Sequence, residues 1–181
     1  SYVPDKVVRA SKMLRERYGL HVRKITKREI YKEDYGHKVF DLINRTYSQL
    51  YDFTVLPPEV IDGYIKMYLG LLDPKFITLV EDADGKLVAV ALTMPSIAHA
   101  VKKSRGYMFP LGWWYLLKTM YFKYEEALEL LMIAVEPEWR NKGVHALLFN
   151  EIIPNLQKGG FKYGESNAEM ESNTNVQNIW N

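Results

Sequence analysis

Between Pro137 and Ala146 the chain reads Pro-Glu-Trp-Arg-Asn-Lys-Gly-Val-His-Ala, which sets a glycine and two cations where a helix must begin. A helix start exposes backbone N–H groups that lack partners and carries a partial positive charge, so an anion such as a pyrophosphate is stabilised there. The chemistry expected of Arg140, Asn141, Lys142, Gly143, Val144 and His145 is therefore the holding of a phosphate group. An ordinary strand-turn-helix unit, in which Gly143 only relieves a tight turn, would carry the same residues.

Such a cradle needs a strand before it and a helix after it. The run Leu130, Leu131, Met132, Ile133, Ala134, Val135 has no polar alternation, as expected of a central strand buried on both faces, and Glu136 and Pro137 stop it. From Val144 the apolar positions Val144, Leu147, Leu148, Ile152 and Leu156 recur at helical spacing until Gly159 and Gly160 end the helix. Upstream, the sequence predicts a helix over 5–18 with Gly19 as its C-cap, a short strand over 20–25 and then a polar bridge. Val39, Phe40, Leu42, Ile43, Tyr47 and Leu50 mark a further helix. Pro57 and Pro58 open another, carrying Val60, Ile61, Tyr64, Ile65, Tyr68 and Leu69. Strand-forming segments at 76–81 and 86–94 flank Asp84-Gly85, a strong hairpin signal.

Composition removes several other chemistries. The 181 residues are 48% hydrophobic, enough for one good core. The 24 basic and 22 acidic residues are too balanced to indicate a nucleic-acid binder. The absence of cysteine excludes disulfides, thiolate nucleophiles and cysteine-ligated zinc, and fits a cytoplasmic protein. His21, His37, His99 and His145 show no metal-ligand spacing, so no metal is expected. Asp82, Ala83 and Asp84 could suggest a calcium loop, but Leu87 stands where its sixth position needs glycine, and the hairpin turn is the better reading.

Strand, Val135-x-Pro137, then Arg140-x-x-Gly143 opening a helix resembles the acyl-CoA-binding motif of the GNAT superfamily of acyltransferases. The order of the remaining elements resembles that family from about His21 onward. The resemblance implies an α/β (α+β) fold with a mixed, mostly antiparallel central sheet flanked by helices. It also implies acetyl-CoA as acyl donor, no metal, and a small-molecule or peptide amine as acceptor. Residues 1–19 would be a connector helix and 20–181 the acyltransferase domain. The chain opens at Ser1 and stops at Trp180-Asn181 within a helix-like segment, so the family's last strands are expected beyond it.

Amine acylation sets the remaining requirements. An amine with a pKa of roughly 10 is mostly protonated at neutral pH, so a base must take its proton before it attacks a thioester. The resemblance puts Glu129 beside the acyl group, on the same strand face as Ile133 and Val135, with Glu165 at the end of the next strand (161–166) as the second candidate. A surface carboxylate is the competing reading for each. The resemblance also implies that backbone N–H groups of Ile133 to Val135 stabilise the oxyanion. In the family a tyrosine seven residues after an asparagine protonates the departing thiolate. Here Asn173 takes the asparagine place, and Trp180, which has no titratable hydroxyl, takes the tyrosine place.

His145 also departs from the family, standing where Gly or Ala is usual. Together with Trp180 it keeps a second reading open, a degenerate GNAT-fold module that serves in interaction or substrate positioning. The aromatic segment Gly106–Tyr124 would then be its contact with another domain or subunit. It is also readable as the wall of an acceptor pocket. Its apolar length falls short of the roughly 20 residues of a spanning helix, so membrane binding ranks last.

Overall fold

The computed structural model describes residues 3–48, 53–69, 72–103, 114, 118–119 and 126–166. They fall into two compact units, Ser1–Leu92 with Met132–Asn155, and Thr93–Leu131 with Leu156–Asn181. Strands β1 (His21–Arg23), β2 (Ile77–Glu81), β3 (Leu87–Pro95), β4 (Ala127–Val135) and β5 (Tyr163–Ser166) form one five-stranded sheet in that order. The mixed, mostly antiparallel sheet flanked by helices is the architecture expected.

In the first unit, helix α1 (Asp5–Tyr18) buries Ser11 and Leu14 and ends at Gly19, as the sequence predicts. The expected strand over 20–25 is shorter, and β1 pairs antiparallel with β2 through His21↔Glu81 and Arg23↔Leu79. The expected polar bridge is instead a helix, α2 (Lys27–Lys32). Thr26 and Glu29 form a reciprocal capping box that satisfies orphan N–H groups at its start, and Ile30 alone anchors it in the core. Helix α3 (Tyr35–Tyr47) buries Val39, Phe40, Leu42 and Ile43 on one face. Leu50 lies outside the described residues.

Helix α4 (Pro58–Tyr64) starts on its prolines, but its α geometry stops at Tyr64 and continues as a π turn over Ile65–Leu69. The wider turn keeps Ile61, Ile65 and Leu69 buried, whereas Val60, expected on the apolar face, is exposed. The β2–β3 hairpin closes through Asp82, whose Oδ1 accepts the N–H groups of Asp84 at 3.0 Å and Lys86 at 2.9 Å. Gly85 takes φ 76° in that turn. The acidic triplet is thus turn chemistry, as read from the sequence.

Beyond β4, helix α6 (Pro137–Arg140) follows α5 (Ala98–Lys103) in chain order and is a single turn where only a stop was expected. Helix α7 (His145–Lys158) begins one residue later than the apolar spacing suggests, with Val144 buried just ahead of it and Pro154 inside it.

In the second unit, β4 pairs parallel with β5 from Ala127↔Tyr163 to Leu130↔Ser166. Ser96 N–H donates to the Ala127 carbonyl at 2.9 Å, and Lys162 forms an ion pair with Glu126. The expectation that β4 is buried on both faces needs correction: Glu129 to Ile133 are all half-exposed. Among the described residues the pairing with β5 runs from Ala127 to Leu130.

Candidate functional site

Residues Ile133 to His145, of which the sequence leads one to expect phosphate chemistry, lie in the first unit. Glu136 holds the residue position just before α6, without a side-chain hydrogen bond to that helix, and is almost fully buried. Its Oε1 accepts Nη2 of Arg45 at 2.6 Å and Nε at 3.0 Å, and its N–H donates to the Val88 carbonyl of β3. Pro137 then supplies the fixed φ and missing N–H that suit a first helical position.

Arg140 closes that turn. Its Nη2 donates to the Thr46 carbonyl at 2.8 Å and its Nε to the Val135 carbonyl at 3.2 Å, so the guanidinium braces the strand against the end of α3. Lys142 is exposed, and its ammonium lies 4.0 Å from the Trp139 ring centroid and 5.3 Å from that of Tyr18. Asn141 is exposed as well.

Gly143 has φ 77°, a left-handed conformation that an L side chain enters only with strain, and a Cβ placed there would meet nothing within 4 Å. The glycine therefore serves the backbone turn and leaves open space at the start of α7. Ala146 N–H turns back to the Gly143 carbonyl and Leu147 N–H to that of Val144, which leaves the N–H groups of Gly143, Val144 and His145 at the open end of the helix. His145 is half-buried. Burial, and then the nearby charge of Lys6, lower its pKa, so the imidazole is neutral near pH 7.

Tyr47, noted in the sequence only as an apolar α3 position, reaches the same stretch. Its hydroxyl donates to the Ile133 carbonyl at 2.7 Å, and its ring lies against Phe53 with centroids 5.7 Å apart. The Ile133 and Val135 carbonyls, two residues apart on one strand edge, thus each accept a side-chain donor. No local sequence signal marks this role, because the hydroxyl and its acceptor are 86 positions apart.

In the second unit the two carboxylates come together. Glu129 and Glu165 are direct register partners across β4 and β5, with Glu129 half-buried and Glu165 exposed. Lateral neighbours in a parallel pair project from the same face, so both acids stand on one side of the sheet. Asn173 and Trp180 lie outside the described residues, as does the segment Gly106–Tyr124 apart from Trp114, Lys118 and Thr119. Trp114 is exposed. Among the described residues no cluster of three metal-ligating side chains occurs, and no helix is long and apolar enough to cross a membrane.

No protein-family model matches the sequence, and no curated protein matches it either. Solved structures do match in fold. An aminoglycoside acetyltransferase from an uncultured soil metagenomic sample, crystallised with sisomicin, superposes with TM-score 0.53 at 10% identity, over 89% of this chain and 85% of its own. A protein assigned as a phosphinothricin N-acetyltransferase gives 0.56 at 17%, over 87% of this chain and 78% of its own. One from Clostridium difficile 630, assigned as an acetyltransferase, gives 0.50 at 16%, over 89% and 86%. At these identities the likeness speaks for architecture, and that architecture is the fold of the GNAT superfamily of acyltransferases.

Proposed function

We propose that this chain is an acyl-CoA-dependent N-acyltransferase that transfers an acetyl group from acetyl-CoA to an amine by direct attack. The observation that carries the reading is the left-handed turn at Gly143, which opens the N-terminus of α7 inside a GNAT fold. The residues present suit a pyrophosphate: open space at Gly143, the N–H groups of residues 143–145, and an exposed cation at Lys142. Arg140 acts through the position of the loop, and neutral His145 leaves room for a hydrogen bond without adding charge.

On this reading the backbone N–H groups of Ile133 to Val135 receive the thioester oxygen. Glu129 or Glu165 takes the amine proton, so that the nitrogen lone pair is free to form the new C–N bond while the C–S bond breaks and the electron pair departs on sulfur. Two adjacent carboxylates also suit an acceptor that arrives as a cation. The acceptor is a small-molecule or peptide amine. A structural relative that is an aminoglycoside acetyltransferase, crystallised with sisomicin, supports a small-molecule acceptor. Residues 20–181 form the catalytic domain, with α1 as a connector, and the protein acts in the cytoplasm.

Isothermal titration calorimetry with acetyl-CoA and with CoA tests the proposal. Micromolar binding of both is expected. No detectable heat with either, from a sample folded by circular dichroism, would refute it in favour of a degenerate module.

A further inference from the structure

The described residues offer several features outside the proposed phosphate loop. The buried Glu81 beside Tyr35 and Arg23 ties α3 to the sheet, and the cavity of about 250 Å³ near Arg23, Lys24 and Lys75 is bordered by cations that already have carboxylate partners. Tyr47 differs from these, because it places a proton donor on the very strand edge where the acyl oxygen is to be received.

We propose that the Tyr47 hydroxyl is a catalytic hydrogen-bond donor to the acyl carbonyl oxygen, sharing with the β4 backbone N–H groups the stabilisation of the charge that builds there. The inference rests on the acyl-transfer reading above. Tyr47 is the last residue of α3, half-buried, with its ring held against Phe53 and its oxygen 2.7 Å from the Ile133 carbonyl oxygen. A phenol carries one proton, and rotation about the Cζ–O bond re-aims it from one oxygen to a neighbouring one while the ring stays in place. The Ile133 carbonyl therefore acts as a resting acceptor. Burial raises the Tyr47 pKa and keeps the donor protonated through the neutral range.

The electron count needs no further reactant. As the C–N bond forms, the carbonyl π pair moves onto oxygen and is met by the hydroxyl hydrogen. As it returns, the C–S bond breaks and sulfur takes the pair. The Tyr47 proton never leaves its oxygen. Arg140 cannot substitute without abandoning the Val135 and Thr46 carbonyls. Preorganised donors of this kind accelerate acyl transfer by about 10²–10³-fold.

The test is isotope-edited infrared spectroscopy of acetyl-CoA labelled with ¹³C at the carbonyl, bound to wild type and to Tyr47→Phe, with calorimetry run first. A lower C=O frequency on wild type than on Tyr47→Phe, at similar donor affinity, is expected. Equal frequencies overturn the assignment while leaving the acyl-transfer reading intact. Failure of wild type to bind overturns that reading, and this inference with it. Should Tyr47→Phe not fold, 3,5-difluorotyrosine at position 47, measured at mildly acidic pH where its more acidic phenol keeps its proton, retains the hydroxyl and strengthens it as a donor. The frequency should then drop further than in wild type, and an unmoved band overturns the role.

Discussion

Gly143 allows the anion site to be tested apart from its backbone. Gly143→Ala and Gly143→Glu impose the same left-handed strain, about 1–2 kcal/mol for an L residue at φ 77°, offset by several tenths of a kcal/mol from the stiffer unfolded chain. Both variants should therefore lose about 1 kcal/mol, or about 2–4 °C in Tm for a chain of this length. Because a Cβ at this position meets nothing within 4 Å, alanine itself should obstruct little. Glutamate adds a negative charge beside the bound pyrophosphate. At about 5 Å, with an effective dielectric constant between roughly 20 and 80, the repulsion is about 1–3 kcal/mol, or a further fivefold to 150-fold loss of CoA affinity. Calorimetry of CoA against both variants reads the difference, which should shrink as salt screens the charges. Equal affinity of the two variants at low salt would refute the cradle at Gly143.

If one of the paired carboxylates is the base, Glu129→Gln or Glu165→Gln should lower turnover by about 10²–10⁴-fold at unchanged CoA affinity, and full activity of both variants would remove the role from the pair. Burial and then the hydrogen bond to Glu81 push the Tyr35 pKa up to about 12. The fold thus holds this proton more tightly than the unfolded chain, whose tyrosines titrate near 10. Stability fully present below about pH 10 should be lost between about pH 10 and 12, as urea midpoints would show. Tyr35→Phe should flatten that alkaline loss and cost about 1–3 kcal/mol at neutral pH, since it deprives buried Glu81 of a donor. The His37 pKa is raised, first by its hydrogen bond to Asp62 and with Asp34 on the other side of the ring. Its small contribution should be complete below about pH 6.5 and fade as pH rises through the raised value, and a Tm series on His37→Gln should lack that step.

Local pattern was enough to place α1, α3, the hairpin, β4 and α7, because the spacing of Val39, Phe40 and Ile43, or of Leu147, Leu148 and Ile152, reports a buried face directly. Helix α2 escapes that signal because a six-residue helix presents only Ile30 to the core, and the reading of this stretch as a polar bridge passed over the capping-box pattern Thr26-x-x-Glu29. For the candidate site the sequence offers residue types but not their partners. Glu129 and Glu165 appear in the sequence as alternatives, and only the β4–β5 register makes them neighbours. Tyr47 reads as one more apolar position of α3, because the carbonyl that engages its hydroxyl belongs to a strand remote in the chain.

Arg140 shows the same dependence on distant partners and changes what its charge is for. In sequence it is one of the residues expected to hold a phosphate group. In the fold its guanidinium spans two carbonyls, one of them 94 positions away. If the brace is its function, geometry matters more than charge, and Arg140→Lys should fail. An ammonium has no planar fork with which to hold Val135 and Thr46 together, so at least one charged hydrogen bond is lost, about 1.5–3 kcal/mol. Arg140→Lys should then lower Tm by about as much as Arg140→Met, and both should weaken CoA binding alike by displacing the loop. Were Arg140 instead a phosphate ligand, lysine would preserve the charge and most of the affinity. Recovery of both Tm and CoA binding in Arg140→Lys, with loss of binding alone in Arg140→Met, would show that the brace is incidental and the charge is what the loop requires.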